Sequence, residues 1–85
     1  MRILEPLTIG RHELPSRVMF GPIVTNLSDG RRFSTRHTAF YRERAAGGCG
    51  IIVTEDASVH PSDWPYERCP DAAVAGPGWA AIASA

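Results

Sequence analysis

The sequence predicts an α/β fold: a small hairpin, then a strand, a helix, a second strand parallel to the first, and the start of a second helix. Three observations carry this reading. Two short triplets, Leu7-Thr8-Ile9 and His12-Glu13-Leu14, flank Gly10-Arg11. Residues 34–46 carry apolar side chains at helical spacing and stop on glycines. Cys49-Gly50-Ile51-Ile52-Val53 is then a continuous apolar run that turns polar at Thr54-Glu55-Asp56. Such a run, rich in β-branched residues, fits a strand covered on both faces, as in a parallel sheet.

In the hairpin, a two-residue connection with glycine first suits a type II′ turn. That register sets Leu7 opposite Leu14 and Ile9 opposite His12, leaving one side mostly apolar. A ribbon this small is not stable alone and reads as a lid or plug on something larger. Pro15-Ser16 breaks the pattern, and Val18-Met19-Phe20 has strand character until Gly21-Pro22 ends regular pairing. The polar stretch Thr25 to Arg32 makes a loop. Ser34 or Thr35 can cap a helix to about Ala46, on which His37, Phe40, Tyr41 and Ala45 share the face that covers the sheet. Arg36, Arg42 and Glu43 fall off that face. Gly47, Gly48 and Gly50 can take the left-handed conformations that close a helix. The strands it joins are expected to be parallel with a right-handed crossover.

Asp56 to Gly78, with Pro61, Pro65, Pro70 and Pro77, reads as one long irregular segment above the C-terminal strand ends, where α/β folds gather their chemistry. Gly78 to Ala85 has the alanine content of a new helix without a capping residue. A single strand–helix–strand unit would leave apolar surface and strand edges open. Residues 1–85 are therefore expected to be the truncated opening quarter of a larger barrel domain.

Composition narrows the function. The 85 residues hold at most one small domain, and 44% hydrophobic with 21% charged residues is too apolar for disorder. Nine basic residues, all arginine, balance nine acidic ones, so neither nucleic acid nor an anionic membrane is indicated as partner. Met1 to Pro6 lacks the apolar core of a signal peptide, and no apolar run approaches the roughly 20 residues that span a bilayer. Cys49 and Cys69 lack the paired spacing of a metal or iron–sulfur site, so free thiols and a cytoplasmic location are expected.

Several residues have both a functional and a structural reading. Gly47-Gly48-Cys49-Gly50 is not a phosphate loop, because it closes a helix and precedes a strand instead of the reverse. His37 is read as a packed core histidine. His60 stands in the loop over the strand ends, where a site role and plain solvation are both open. Cys49 is read as a small buried hydrophobe and Cys69 as a loop thiol. Trp64 and Tyr66 either shape a substrate entrance or, as we favour, pin the long loop. Glu55 is the best-placed titratable group, with pairing to an arginine as its structural alternative.

Three blocks together resemble the Old Yellow Enzyme group of FMN-dependent oxidoreductases, with its 2,4-dienoyl-CoA reductase-like branch. They are Leu4-Glu5-Pro6-Leu7-Thr8-Ile9-Gly10 with Leu14-x-x-Arg17-Val18, then Gly21-Pro22-Ile23-Val24-Thr25. The third is His37 with Phe40-Tyr41-Arg42-Glu43-Arg44-Ala45 and Gly47-Gly48-x-Gly50-Ile51-Ile52-Val53-Thr54-Glu55. Ser58 to Arg68 is also similar to a subgroup associated with mycofactocin gene clusters. The resemblance implies a (β/α)8 TIM barrel with FMN at the C-terminal strand ends and hydride passing from NAD(P)H through flavin to an activated alkene, a small-molecule substrate. It carries Gly21, Pro22, Ile23, Val24, Thr25 and Asp56 over as cofactor contacts, Asp56 chiefly through its backbone. Val24 stands where several relatives have a residue that hydrogen-bonds the flavin, and Asp56 where many have glycine or alanine. The family's catalytic, substrate-anchoring and phosphate-binding residues, and the iron–sulfur cysteines of its larger members, would lie downstream. No catalytic or metal-binding residue is assigned here. The rival readings are a barrel enzyme without flavin and a small non-enzymatic α/β binding module.

Overall fold

The computed structural model describes residues 2–85; Met1, with which the stretch read for a signal peptide begins, lies outside them. In chain order the elements are β1 (Leu7–Ile9), β2 (His12–Leu14), β3 (Met19–Phe20), α1 (Thr35–Ala46), β4 (Ile51–Ile52) and α2 (Gly76–Ser84). β1 and β2 form the expected antiparallel hairpin, with Leu7 opposite Leu14 and Ile9 opposite His12. Gly10 has φ +58°, a backbone conformation that costs glycine little.

β3 and β4 pair in parallel, Met19 with Ile51 and Phe20 with Ile52. The Val53 N–H donates to the Phe20 carbonyl at 3.0 Å as the last rung before Gly21-Pro22. The ends of both strands, residues 21–25 and 54–56, therefore leave the ladder side by side. At the opposite end, the Ser16 hydroxyl donates to the Gly48 carbonyl at 2.6 Å and the Gly50 N–H to the Val18 carbonyl at 2.8 Å. The hairpin is thus joined at the N-terminal ends of β3 and β4, a plug remote from the strand ends.

Ser34 caps α1, and its N–H donates to His37 Nδ1 at 3.0 Å. His37 and Tyr41 are the buried residues of the helix; Ala45, expected on the same face, is exposed. Ala45 borders an open cavity together with Tyr41, Ile52 and Ile82, which leaves it uncovered, while the Arg44 guanidinium lies 3.7 Å from the Phe40 ring centre. Of the three glycines expected to be left-handed, Gly48 alone is, at φ +105°. Gly47 ends the helix in right-handed geometry. Gly50 serves close approach instead: a Cβ there would lie 2.1 Å from the Ser16 carbonyl oxygen.

The central run is less covered than its composition predicts. Ile51 and Val53 are each 38% exposed and the ladder holds only two residues of it, because α1 covers one face of a two-stranded sheet. The cysteines exchange their expected roles: Cys49 is half-buried, while Cys69, within the long segment, is fully buried. That segment ends earlier than expected, since α2 begins at Gly76 with Pro77 in its first turn, where a missing N–H costs nothing. A parallel bridge between Ser58 and Asp71 closes it into a strap. The core lies under this strap, with Phe33 between His37 and Trp79 at ring-centre distances of 4.8 and 5.4 Å. Gly78 lets α2 approach, as a Cβ there would sit 2.5 Å from Phe33 Cβ.

Candidate functional site

Four segments converge where β3 and β4 end. Residues 21–25 follow β3, His37 and Tyr41 project from α1, residues 54–56 follow β4, and Tyr66 reaches down from the strap. Glu55 is their common partner. It is 2% exposed and His37 is 0% exposed.

The hydrogen bonds settle the protonation pattern. His37 Nδ1 accepts from the Ser34 N–H at 3.0 Å, so the ring proton sits on Nε2, which donates to Glu55 Oε1 at 2.6 Å. A doubly protonated ring would set one N–H against another. The Thr25 hydroxyl also donates to Glu55 Oε1, and Tyr66 donates to Glu55 Oε2 at 2.6 Å. The Glu55 N–H in turn donates to the Tyr41 hydroxyl at 2.8 Å. Glu55 is therefore a buried carboxylate held by neutral donors, and the alternative of an arginine partner is not what the structure contains. Burial pushes its carboxyl up, but the bonds from Thr25, Tyr66 and His37 outweigh this and hold it below its usual 4.5. Burial, then the Glu55 and Asp56 carboxylates, push the Tyr66 phenol far above its usual 10.

Asp56 is exposed, and its Oδ1 lies 3.1 Å from the same Tyr66 hydroxyl. Consecutive side chains of a strand point to opposite faces, but residues 54–56 lie beyond the paired Ile51–Ile52 and are not in a strand, so both carboxylates reach one hydroxyl.

The six residues expected to touch a cofactor divide into four kinds. Ile23 and Val24 are 50% and 56% exposed and present apolar surface at the strand end; Pro22 is exposed beside them. Gly21 leaves open space where a Cβ would stand. Thr25 turns its hydroxyl inward to Glu55, so that group is not free to face a ligand. Asp56 offers its backbone while its carboxylate meets Tyr66. An apolar, open edge with free backbone fits one face of a flat aromatic cofactor.

Of the other candidates, His60 is exposed and bonded to Ser62 within its own turn, so it does not join the cluster. Trp64 pins the strap, with the Arg31 guanidinium 3.7 Å from its ring centre. His37 and Tyr41 were legible as core residues by spacing, but their bonds to Glu55 were not, since these depend on α1 packing over the β4 end. Tyr66 carried no spacing signal at all.

No family model matches the chain. It is 40% identical over 60 residues to bilirubin reductase of Mediterraneibacter gnavus (strain CC55_001C), covering 68% of this chain and 9% of that protein. It is 34% identical over 68 residues to putative 12-oxophytodienoate reductase 4 of Oryza sativa subsp. japonica, covering 80% of this chain and 18% of that protein. Among solved structures it superimposes on morphinone reductase, determined in complex with tetrahydroNAD, with a TM-score of 0.80 and 23% identity. That match covers 96% of this chain and 23% of the other, so the chain spans under a quarter of the length of each of these three proteins. The structural match speaks for the fold and the two sequence matches for kinship. Over the stretch it spans, this chain is Old Yellow Enzyme-like.

Proposed function

We propose that residues 1–85 are the opening segment of an FMN-dependent oxidoreductase whose complete (β/α)8 barrel reduces an activated alkene of a small molecule with NAD(P)H. The observation that carries this reading is the 40% and 34% identity to two proteins named as reductases. Flavin would supply the hydride chemistry; this segment supplies part of its bed. Ile23 and Val24 offer apolar contact, Gly21 and Pro22 a close backbone approach, and Asp56 its main chain from the neighbouring strand end. Glu55, tied to Thr25, His37 and Tyr66, fixes the two strand ends relative to α1 and the strap. Preorganised edges of this kind position a ligand at low entropic cost. The two free thiols agree with the cytoplasmic location in this proposal, which gives the chain no nucleic-acid or membrane partner. Among the described residues, no helix is long and apolar enough to cross a membrane.

The test is to express the whole reading frame that contains these residues. Purified protein should be yellow, release FMN on denaturation and bleach anaerobically with NADH or NADPH. Val24→Glu should lower FMN occupancy without unfolding the protein. A folded, colourless protein that takes up no flavin overturns the proposal in favour of a flavin-free barrel or a binding module.

A further inference from the structure

We infer that Tyr66 is a positioning residue for the charge at the end of β4: its hydroxyl ties the Asp56 carboxylate to the strap and keeps it from swinging over the strand-end edge. The inference rests on the flavin reading above, because flavin is the group at that edge that would sense the charge.

The geometry makes Asp56 the movable partner. Tyr66 shares its one proton between two carboxylates, a short arm to Glu55 Oε2 at 2.6 Å and a longer arm to Asp56 Oδ1 at 3.1 Å. Glu55 is buried and keeps two further donors, Thr25 and His37, on its other oxygen. Asp56 is exposed, and Tyr66 is its one side-chain partner among the described residues, where no cation pairs with it. Removing the phenolic hydroxyl therefore leaves Glu55 anchored while Asp56 loses its tether. The nearby negative charge of Glu55 then repels it outward. A free carboxylate at the edge disfavours addition of electrons to a neighbouring flavin. Tyr66 thus sets the potential of the site through a residue whose backbone is the actual contact, and touches no ligand itself.

A redox titration of the flavin-loaded protein tests this. Tyr66→Phe should shift the reduction equilibrium about tenfold toward oxidised flavin, which is about 30 mV for a two-electron couple. In an Asp56→Asn background the same Tyr66→Phe change should produce no shift. An equal shift in both backgrounds would show that Tyr66 acts through packing or through Glu55, and no shift in either would show that the Asp56 charge is not felt. A second measurement needs no flavin and so separates this inference from the cofactor reading. NMR couplings about Asp56 χ1 should report one rotamer in the parent and averaged rotamers in Tyr66→Phe. Averaging already present in the parent overturns the tether.

Discussion

His37 Nε2 donates to Glu55 Oε1 across 2.6 Å with neither side chain reached by solvent. The pair joins α1 to the end of β4 through a proton that stays on the imidazole, so a buried charge is balanced by dipoles and not by a cation. Charge-assisted bonds of this kind are stronger than neutral ones, and a lost partner leaves the carboxylate short of a donor. In the protein that contains this segment, His37→Ala should cost about 1.5–3 kcal/mol or more, since a cavity adds to the lost bond. Denaturant midpoints measure it. A change within error would mean water replaces the imidazole at no cost.

The same carboxylate gives an acid limb to the stability curve. Folding holds Glu55 below its usual 4.5, so the unfolded chain takes up the proton first as pH falls. The stabilisation is complete above about pH 4.5 and drains away as pH drops from there through the folded value. Glu55→Gln, which has no proton to gain, should be less stable than the parent at pH 7 and approach it on acidification. Urea midpoints at pH 7 and pH 4 decide this; parallel curves would show that Glu55 does not carry the limb.

The glycines after α1 should rank by geometry. A methyl at Gly50 would meet the Ser16 carbonyl oxygen at 2.1 Å, forcing β4 from the base of the hairpin. Gly48, at φ +105°, has space but a strained backbone for any other residue. Gly47, at φ −74° with its nearest atoms at 3.5 Å, has neither problem. Substitution by alanine should cost more than about 2 kcal/mol at Gly50, roughly 1 kcal/mol at Gly48, and little or nothing at Gly47. Thermal midpoints in a different order would mean the turn re-forms around the new side chain.

Much of the fold was legible because its signals are local. The Gly10-Arg11 turn sets the hairpin register, Ser34 starts α1, and the apolar run followed by Thr54-Glu55 marks the second strand of the parallel pair. What was not legible depends on atoms brought together by packing. Glu55 stood out by its place at a strand end, yet nothing in its neighbourhood in sequence announces Thr25, His37 or Tyr66 as partners, which are 30, 18 and 11 positions away. Cys69 gave no sign of full burial, because that comes from the strap closing through Ser58 and Asp71. The start of α2 at Gly76 was hidden by Pro77, a helix breaker everywhere except in the first turn.

Tyr41 tests whether the backbone at Glu55 is held as firmly as the side chain. Its hydroxyl accepts the Glu55 N–H at 2.8 Å in a buried setting, so Tyr41→Phe takes away the acceptor of a backbone donor. The cost should be about 1–3 kcal/mol, and the Glu55 amide proton should lose hydrogen-exchange protection more than its neighbours. Uniform loss of protection along β4 would point to general loosening instead.

The strap should open on its own before the protein unfolds. Besides the Tyr66 hydroxyl, it is held mainly by the loop between β3 and α1. Arg31 stacks on Trp64 at 3.7 Å and donates to the Cys69 carbonyl at 2.9 Å, and Asn26 accepts the Arg68 N–H at 2.8 Å. Trp64 is partly exposed, so removing it takes away the cation–π stack and little core. A contact of this kind is worth about 1 kcal/mol, which raises the open population roughly fivefold. Trp64→Ala should therefore speed tryptic cleavage after Arg68 by a similar factor while leaving the global denaturant midpoint almost unchanged. Arg31→Lys keeps the charge but loses the planar guanidinium face, so its cleavage rate should fall between the parent and Trp64→Ala. Cleavage that rises only in proportion to loss of global stability would show that the strap and the core open together, as one cooperative unit.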